Sequence, residues 1–109
     1  MITVERMEAA LNYLAQTDEV VAEAKVQVAK SEYLAKLEEA FGFRLASGAT
    51  VKDREVAAKT DSKVQELWNI HFKAVADYEK LRAKRERAVL TIDLFRTLEA
   101  SRRQGSQVT

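Results

Sequence analysis

Apolar side chains recur along most of the chain at intervals of three and four residues, which is the spacing of one face of an α-helix. Near the N-terminus this pattern predicts a short amphipathic helix over about residues 4–15, with Thr3 as its capping residue. Thr17 is followed by two acids, which is typical of a new helix start, and the apolar spacing resumes at Val20. A second helix is therefore predicted over about residues 18–46.

The next segment carries the signals of a helix end followed by a new helix start. Gly48 stands where a left-handed residue would end the second helix. Thr50 has an acid, Asp53, three residues later, and this capping pattern predicts a third helix over about residues 51–59. Gly42 predicts either the close approach of another helix or a kink, because a glycine inside a helix costs about 1 kcal/mol relative to alanine.

The fourth predicted helix is the longest element. The capping cluster at residues 60–62, with Gln65 beyond it, predicts a helix over about residues 62–102, because nothing in between ends it. A helix of that length spans about 60 Å, so we expect the earlier helices to pack along it. The predicted fold class is all-α, an elongated antiparallel helical hairpin similar to a coiled coil. We expect one domain over residues 1–103 and a frayed tail over residues 104–109.

The apolar stripe predicted to form the packing seam of the fourth helix is interrupted by charge. Its members are Val64, Leu67, Trp68, His71, Val75, Tyr78, Leu81, Val89, Ile92, Phe95 and Leu98. Helical spacing places Arg82 and Arg85 on the same face, inside the gap of this stripe. Arginines in a seam either extend to its edge or pair with carboxylates of the facing helix. We expect pairing, with carboxylates such as Glu23, Glu32, Glu38 or Glu39.

Composition narrows the class of protein. The 109 residues include no proline, no cysteine and three glycines, so helix breakers are rare and disulfides and thiolate sites are excluded. The absence of cysteine is typical of an intracellular protein, and no segment is apolar enough to cross a membrane. The sequence therefore predicts a small soluble protein of the cytoplasm that does not bind membranes.

Charge is distributed unevenly along the chain. Residues 1–40 carry 4 basic and 8 acidic side chains, residues 41–79 carry 6 and 6, and residues 80–109 carry 8 and 3. The basic side chains of the last segment are Lys80, Arg82, Lys84, Arg85, Arg87, Arg96, Arg102 and Arg103. This segregation indicates either a basic docking surface or two strips of opposite charge that attract each other across the hairpin.

These eight basic residues form the candidate binding site. Helical spacing places Lys80, Lys84 and Arg87 on one side of the helix, where they suit contacts with phosphates. Tyr78 and Phe95 could stack on unpaired bases, and we expect single-stranded rather than double-stranded DNA. The alternative is a solvated or intersubunit face, because acids are interleaved at spacings that form salt bridges. Those acids are Glu79, Glu86, Asp93 and Glu99.

Catalytic and metal chemistry has little support in the sequence. His71 is the only histidine, and the positions three and four residues after it are Ala74 and Val75, which are not metal ligands. We therefore predict a packed or rim histidine, and Trp68 is predicted to lie in the core. Neither a Ser–His–acid pattern nor a glycine-rich phosphate loop is present, so we expect neither an enzyme nor a bound cofactor or metal.

The second half of the chain resembles a group of small helical proteins of tailed bacteriophages and prophages. The resemblance is carried by Gly48-Ala49-Thr50-Val51, Arg54-Glu55, Ala58, Tyr78, Leu81-Arg82, Ile92, Phe95-Arg96-Thr97 and Ala100-Ser101-Arg102. Phe95 departs from the pattern, which has tryptophan there. The resemblance implies an accessory role in phage DNA recombination or replication inside a bacterial host, and binding roles for Arg82 and Arg96.

Three functional hypotheses remain open. The first is an oligomeric, non-enzymatic accessory protein that binds DNA or a DNA-processing protein through the basic end of its last helix. The second is an inhibitor or adaptor that binds a host protein without nucleic acid. The third is a coiled-coil homo-oligomer with a purely structural role.

Overall fold

The computed structural model describes residues 2–48 and 50–108, the last three of these by their backbone alone. Within this part of the chain there are three α-helices and no strand: α1 spans Val4–Leu45, α2 spans Val51–Thr60 and α3 spans Ser62–Val108. The predicted all-α fold with two long helices is confirmed. None of the described helices contains a stretch long and apolar enough to cross a membrane.

The helices form two compact units. Unit 1 comprises Met1–Val21 and Lys80–Thr109, and unit 2 comprises Ala22–Glu79. Both long helices contribute a segment to each unit, and α2 belongs to unit 2. No linker in the sequence separates the units, and the single domain expected over residues 1–103 stays a prediction.

Within each unit the segments of α1 and α3 run antiparallel, as predicted. In unit 1, Ala10 clusters with Ile92, whereas Asp18, further along α1, pairs with Arg85, which comes earlier in α3. Unit 2 follows the same order. There Ser31 hydrogen-bonds to His71, and Glu38 pairs with Lys63 at 3.6 Å.

The predicted break between residues 15 and 18 is wrong, because α1 continues through it. The Thr17 hydroxyl donates a hydrogen bond to the Tyr13 carbonyl oxygen at 2.7 Å, four residues back in the same helix. This is how a threonine is accommodated inside a helix, whereas a capping threonine accepts from an amide ahead of it. With neither proline nor glycine nearby, the two helices predicted over residues 4–15 and 18–46 are one.

The other helix starts agree with the sequence signals. The Thr3 hydroxyl accepts a hydrogen bond from the Arg6 amide at 3.2 Å, and the Thr50 hydroxyl accepts one from the Asp53 amide at 3.1 Å. At the start of α3, the Asp61 carboxylate accepts hydrogen bonds from two backbone amides, at 2.9 and 3.3 Å. The capping cluster at residues 60–62 therefore acts through its aspartate.

Two glycines allow close packing between chain segments. A Cβ atom added to Gly42 would lie 3.4 Å from the Cβ of buried Ala58, so the predicted close approach of a helix at Gly42 is confirmed. Gly48 does not have the left-handed conformation predicted for it, since no described glycine has a positive φ. Instead, a Cβ at Gly48 would lie 3.1 Å from the Cβ of Asp53, so the start of α2 fills the space that a side chain would need.

Beyond the predicted end near residue 102, α3 continues to Val108, because a single glycine at position 105 is not enough to end a helix. The predicted frayed tail over residues 104–109 includes Thr109, which lies outside the described residues. Ala49, one of the residues that carry the bacteriophage resemblance, also lies outside them. Fraying of the tail stays a prediction.

The surfaces where α1 and α3 pack follow a seven-residue repeat of buried and half-buried positions, which we call the seam. On α1 the seam consists of Met7, Ala10, Leu14, Thr17, Val21, Ala24, Val28, Ser31, Ala35, Glu38 and Gly42. On α3 it consists of Val64, Leu67, His71, Ala74, Tyr78, Leu81, Arg85, Ala88, Ile92, Phe95 and Glu99. Such a repeat is the packing pattern of coiled coils.

The seam differs in part from the apolar stripes read from the sequence. Val89 and Leu98 of the predicted α3 stripe are exposed, and Ala88 and Glu99 occupy the seam positions beside them. On α1, large apolar side chains such as Leu34 also lie outside the seam. The difference arises because a strict seven-residue repeat selects some small and charged residues and leaves larger apolar ones on the flank.

Candidate nucleic-acid interface

The eight predicted binding residues all lie on α3, but they do not form one cluster. Arg85 occupies a seam position of unit 1, and its side chain is only 20% exposed. The other seven are exposed. The local reason is helical geometry, since residues spaced at 3.6 per turn point in different directions around α3.

The Arg85 side chain binds groups of α1 within unit 1. Its Nη1 donates to the Leu14 carbonyl oxygen at 2.9 Å and to the Thr17 hydroxyl, and its Nη2 lies 2.6 Å from Oδ1 of Asp18. Pairing within the hairpin was expected, but the acidic partner is Asp18 rather than any of the four glutamates proposed from the sequence. Because its donors are directed at α1, Arg85 is a packing residue of unit 1.

Arg82 lies three residues before Arg85 and outside the seam. Its Nε is 3.4 Å from Oε1 of Glu86, one turn further along α3, and its side chain is about half exposed. At the predicted interruption of the stripe, Arg85 is therefore half-buried in the seam and Arg82 lies at the surface.

Three basic side chains form a continuous exposed surface on α3, which we call the basic strip. It consists of Lys80, Lys84 and Arg87, at relative positions 0, 4 and 7 of the helix. None of the three forms an ion pair within 4 Å with a side chain that the structure describes. The strip therefore presents three positive charges to solvent.

The remaining basic residues lie nearer the C-terminus of α3. Arg102 forms an ion pair with Glu99 at 3.6 Å, whereas Arg96 and Arg103 are exposed and pair with no described acid. Two aromatic side chains were predicted as stacking surfaces, and both occupy half-buried seam positions. Part of the surface of Tyr78 and of Phe95 is therefore covered, and neither ring is fully open for stacking on a base.

His71 is buried, in agreement with its prediction as a packed histidine. Its Nδ1 lies 3.0 Å from the Ser31 hydroxyl and 3.1 Å from the Val28 carbonyl oxygen. Since a carbonyl oxygen only accepts, Nδ1 carries the hydrogen. The Trp68 ring lies nearly perpendicular to the imidazole, at 81°, with ring centroids 5.6 Å apart. Among the described residues, no group of three or more histidines and acids is arranged to hold a metal ion.

Sequence reasoning missed the residues of α1 that receive these two polar side chains. Thr17 was interpreted as a helix cap, and Ser31 was not singled out at all. The available signal was the seven-residue repeat of small side chains on α1, which places Thr17 and Ser31 at equivalent seam positions.

Comparison of the chain with models of protein families, with curated proteins and with solved structures found no match. The resemblance to bacteriophage proteins therefore stays a prediction, and the function must be argued from the surface of the molecule.

Replacing Arg85 by methionine, which preserves much of its length, should lower the free energy of unfolding by about 1–2 kcal/mol, because its hydrogen bonds to α1 are lost. Asp18 is 68% exposed and remains hydrated without its partner, which limits the loss. A double-mutant cycle with Asp18→Asn, followed by urea denaturation, should give a coupling of about 0.5–1 kcal/mol. Arg87→Met is the matched control and should change stability by less than about 0.5 kcal/mol. Equal losses for both arginines would contradict the packing role of Arg85.

Proposed function

We propose that this chain is a non-enzymatic accessory protein that binds DNA by placing the basic strip of α3 against backbone phosphates. The observation that supports the proposal is that Lys80, Lys84 and Arg87 share one exposed face without an acidic partner among the described residues. Cations paired within the molecule would have to give up those partners before binding phosphate. The three cations of the basic strip have no such partner among the described residues, so binding phosphate costs them no ion pair.

The dimensions of the strip suit a phosphate backbone. From Lys80 to Arg87 the helix rises about 10 Å. Phosphates on one strand of duplex DNA follow each other at about 3.4 Å along the axis, so three cations match about three phosphates. Outside the strip, residues 80–109 carry 5 basic and 3 acidic side chains, so the rest of this segment adds a small excess of positive charge. Such contacts give affinity without sequence preference.

Base stacking is not part of the proposal, because Tyr78 and Phe95 lie in the seam. The single-strand preference expected from the sequence thus loses its aromatic support. The bacteriophage resemblance points to the same function, and with it we place the protein in the cytoplasm of a bacterial host.

The test is a titration of labelled single- and double-stranded DNA, followed by fluorescence anisotropy at about 50 and 200 mM salt. With three phosphate contacts, affinity for duplex DNA should fall by about fortyfold between these salt concentrations. Replacing Lys80, Lys84 and Arg87 by glutamine should weaken binding at the lower salt at least about tenfold and flatten the salt dependence.

The matched control replaces three exposed lysines elsewhere by glutamine, at Lys25, Lys30 and Lys52. It removes the same charge, so net charge alone predicts the same loss as for the strip variant, whereas the strip proposal predicts a change of less than about twofold. Absence of binding at low salt, or equal losses in the two variants, would refute the proposal.

A protein partner is the second candidate, and one observation favours it. Leu94 and Leu98 continue the face of the basic strip toward the C-terminus, and both are about half exposed. A surface of three cations followed by two leucines also suits an acidic protein with an apolar patch. A stoichiometric protein retained from nuclease-treated bacterial lysate, together with no DNA binding, would favour this candidate.

A further inference from the structure

The flank of unit 1 that carries the basic strip continues onto α1. Each cation of the strip stands directly before a seam residue of α3, and in an antiparallel pair the positions before seam residues lie on the same flank of both helices. On α1 these positions are Arg6, Ala9, Tyr13, Gln16 and Val20. We call these five residues, together with the basic strip, the two-helix face.

Arg6 adds a fourth cation to this face. Its side chain is exposed and forms no ion pair within 4 Å with an acid that the structure describes. The clustering of Ala10 with Ile92 places Arg6 about nine residues, or 14 Å, beyond Arg87 along the hairpin. The four cations therefore extend along about 24 Å of unit 1.

The acids of unit 1 lie away from the two-helix face. Among its described residues, helical spacing places four acids on the opposite flank, two on the outer side of α1 and one in the seam. They are, in that order, Glu8, Asp18, Glu86 and Asp93, then Glu5 and Glu19, and finally Glu99. The next position of the same flank on α1 is Glu23, which belongs to unit 2. The acid-free flank thus ends where unit 1 ends.

We infer that the two-helix face binds double-stranded DNA, with Arg6 of α1 contacting a phosphate in addition to those bound by the basic strip. The inference rests on the proposed function and names both its ligand and a second contacting helix. A carboxylate on the α1 part of the face would repel phosphates that approach the strip. Because the described part of this flank carries none, a ligand as wide as the hairpin can approach both helices.

The width of the face suits a duplex. Two helices side by side, each about 10 Å across, form a face about 20 Å wide, which is comparable to the width of duplex DNA. A duplex holds its phosphates in fixed rows, so it can reach the strip and Arg6 together without being ordered on binding. A flexible single strand would have to be ordered from one helix to the other, and that ordering costs affinity.

The two-helix face offers little to unpaired bases. Tyr13 is its only aromatic side chain, and this ring packs against the buried cluster of unit 1. Proteins that bind single strands without sequence preference stack the bases on aromatic rings. Without an open ring the affinity comes from phosphates, whose density along the axis is about twice as high in a duplex as in a single strand.

Salt dependence measures the number of phosphates contacted. Between about 50 and 200 mM salt, three contacts lower duplex affinity about fortyfold, whereas four lower it about 150-fold. Anisotropy titrations should give about 150-fold for the unmodified chain and about fortyfold for Arg6→Gln, which should also weaken binding at least about threefold at the lower salt. The control Arg44→Gln removes the same charge from an exposed position of α1 in unit 2 and should change affinity less than about twofold.

A pair of alanine substitutions separates the two flanks of α1. Ala9 lies on the two-helix face and Ala15 on the opposite flank, and both are exposed. Ala9→Glu places a carboxylate one turn from Arg6 and should weaken duplex binding at least about fivefold. Ala15→Glu makes the identical change and should weaken it less than about twofold. Circular dichroism verifies that all variants fold.

Absence of DNA binding at about 50 mM salt would refute the proposed function and this inference together. If the strip variant binds more weakly but Arg6→Gln does not, or if the two alanine variants lose affinity equally, the proposed function stands and the two-helix inference is overturned. A single strand of the same length should bind at least about fivefold more weakly than the duplex at the lower salt, and equal or tighter binding of the single strand would overturn the inference as well.

Discussion

Replacing Ile92 by alanine should lower the free energy of unfolding by about 2–5 kcal/mol, at the lower end of that range. Ile92 is 7% exposed and, among the residues that the structure describes, is the only large side chain in the buried cluster of unit 1, where it lies with Ala10 and Ala88. The substitution removes the largest apolar side chain of this cluster. The half-buried Met7 and Leu14 pack against the same cluster and can move partly into the space, which keeps the loss moderate.

The matched control is Leu94→Ala, two residues further along the same helix. Leu94 is 49% exposed, so the same kind of truncation there should cost less than about 0.5–1 kcal/mol. Urea denaturation followed by circular dichroism measures both variants. Hydrogen exchange adds a local readout, since loss of Ile92 should speed exchange in unit 1 more than in unit 2. Similar losses for Ile92 and Leu94 would contradict the assignment of the core.

Ala35→Leu should destabilise the chain by about 1–3 kcal/mol through overpacking. Ala35 is fully buried in the seam of unit 2, one turn from the equally small Ser31. Helices packed through alanine and serine lie close together, and three extra carbon atoms force them apart or force the leucine out of its preferred rotamer. Alanine and leucine are both strong helix formers, so helix propensity does not explain the loss.

Ala29→Leu provides the control in the same helix, because Ala29 is exposed. It makes the identical chemical change and should alter stability by less than about 0.5 kcal/mol. Thermal and urea unfolding of the two variants should therefore separate clearly. A stable Ala35 variant with an unchanged denaturation midpoint would show that the seam is looser at this position than its burial indicates.

The helices themselves were largely predictable, because their signals are local. Thr3 and Thr50 act as caps, and α2 and α3 start where the sequence places them. The prediction of Thr17 as a helix cap was wrong because a threonine followed by acids gives the same local sequence signal before a helix and inside one. Its hydroxyl bonds backward to Tyr13, and only the surrounding chain decides between the two directions.

The candidate site was predictable in part. The common face of Lys80, Lys84 and Arg87 follows from helical spacing alone, and the structure places all three at the surface. The contacts of Arg85 do not follow from helical spacing, since its partners Thr17 and Asp18 are 68 and 67 residues away in sequence. Finding them requires knowing how far one helix is shifted along the other, and a mostly small and apolar seam carries little information on that shift.

Arg85 and His71 supply the information that the apolar residues lack, because they fix the register of the hairpin. They stand two heptads apart on α3, and their partners Thr17 and Ser31 stand two heptads apart on α1. Sliding one helix by seven residues keeps every seam position in the seam, but it would move Arg85 opposite Ala10 or Ala24, where no side chain accepts its hydrogen bonds. The observed alignment gives each of the two polar side chains a hydroxyl partner, and a shift by one heptad in either direction removes the partner of Arg85. The two contacts therefore oppose such slippage, each within its own unit, between helix segments whose apolar contacts alone would tolerate several alignments.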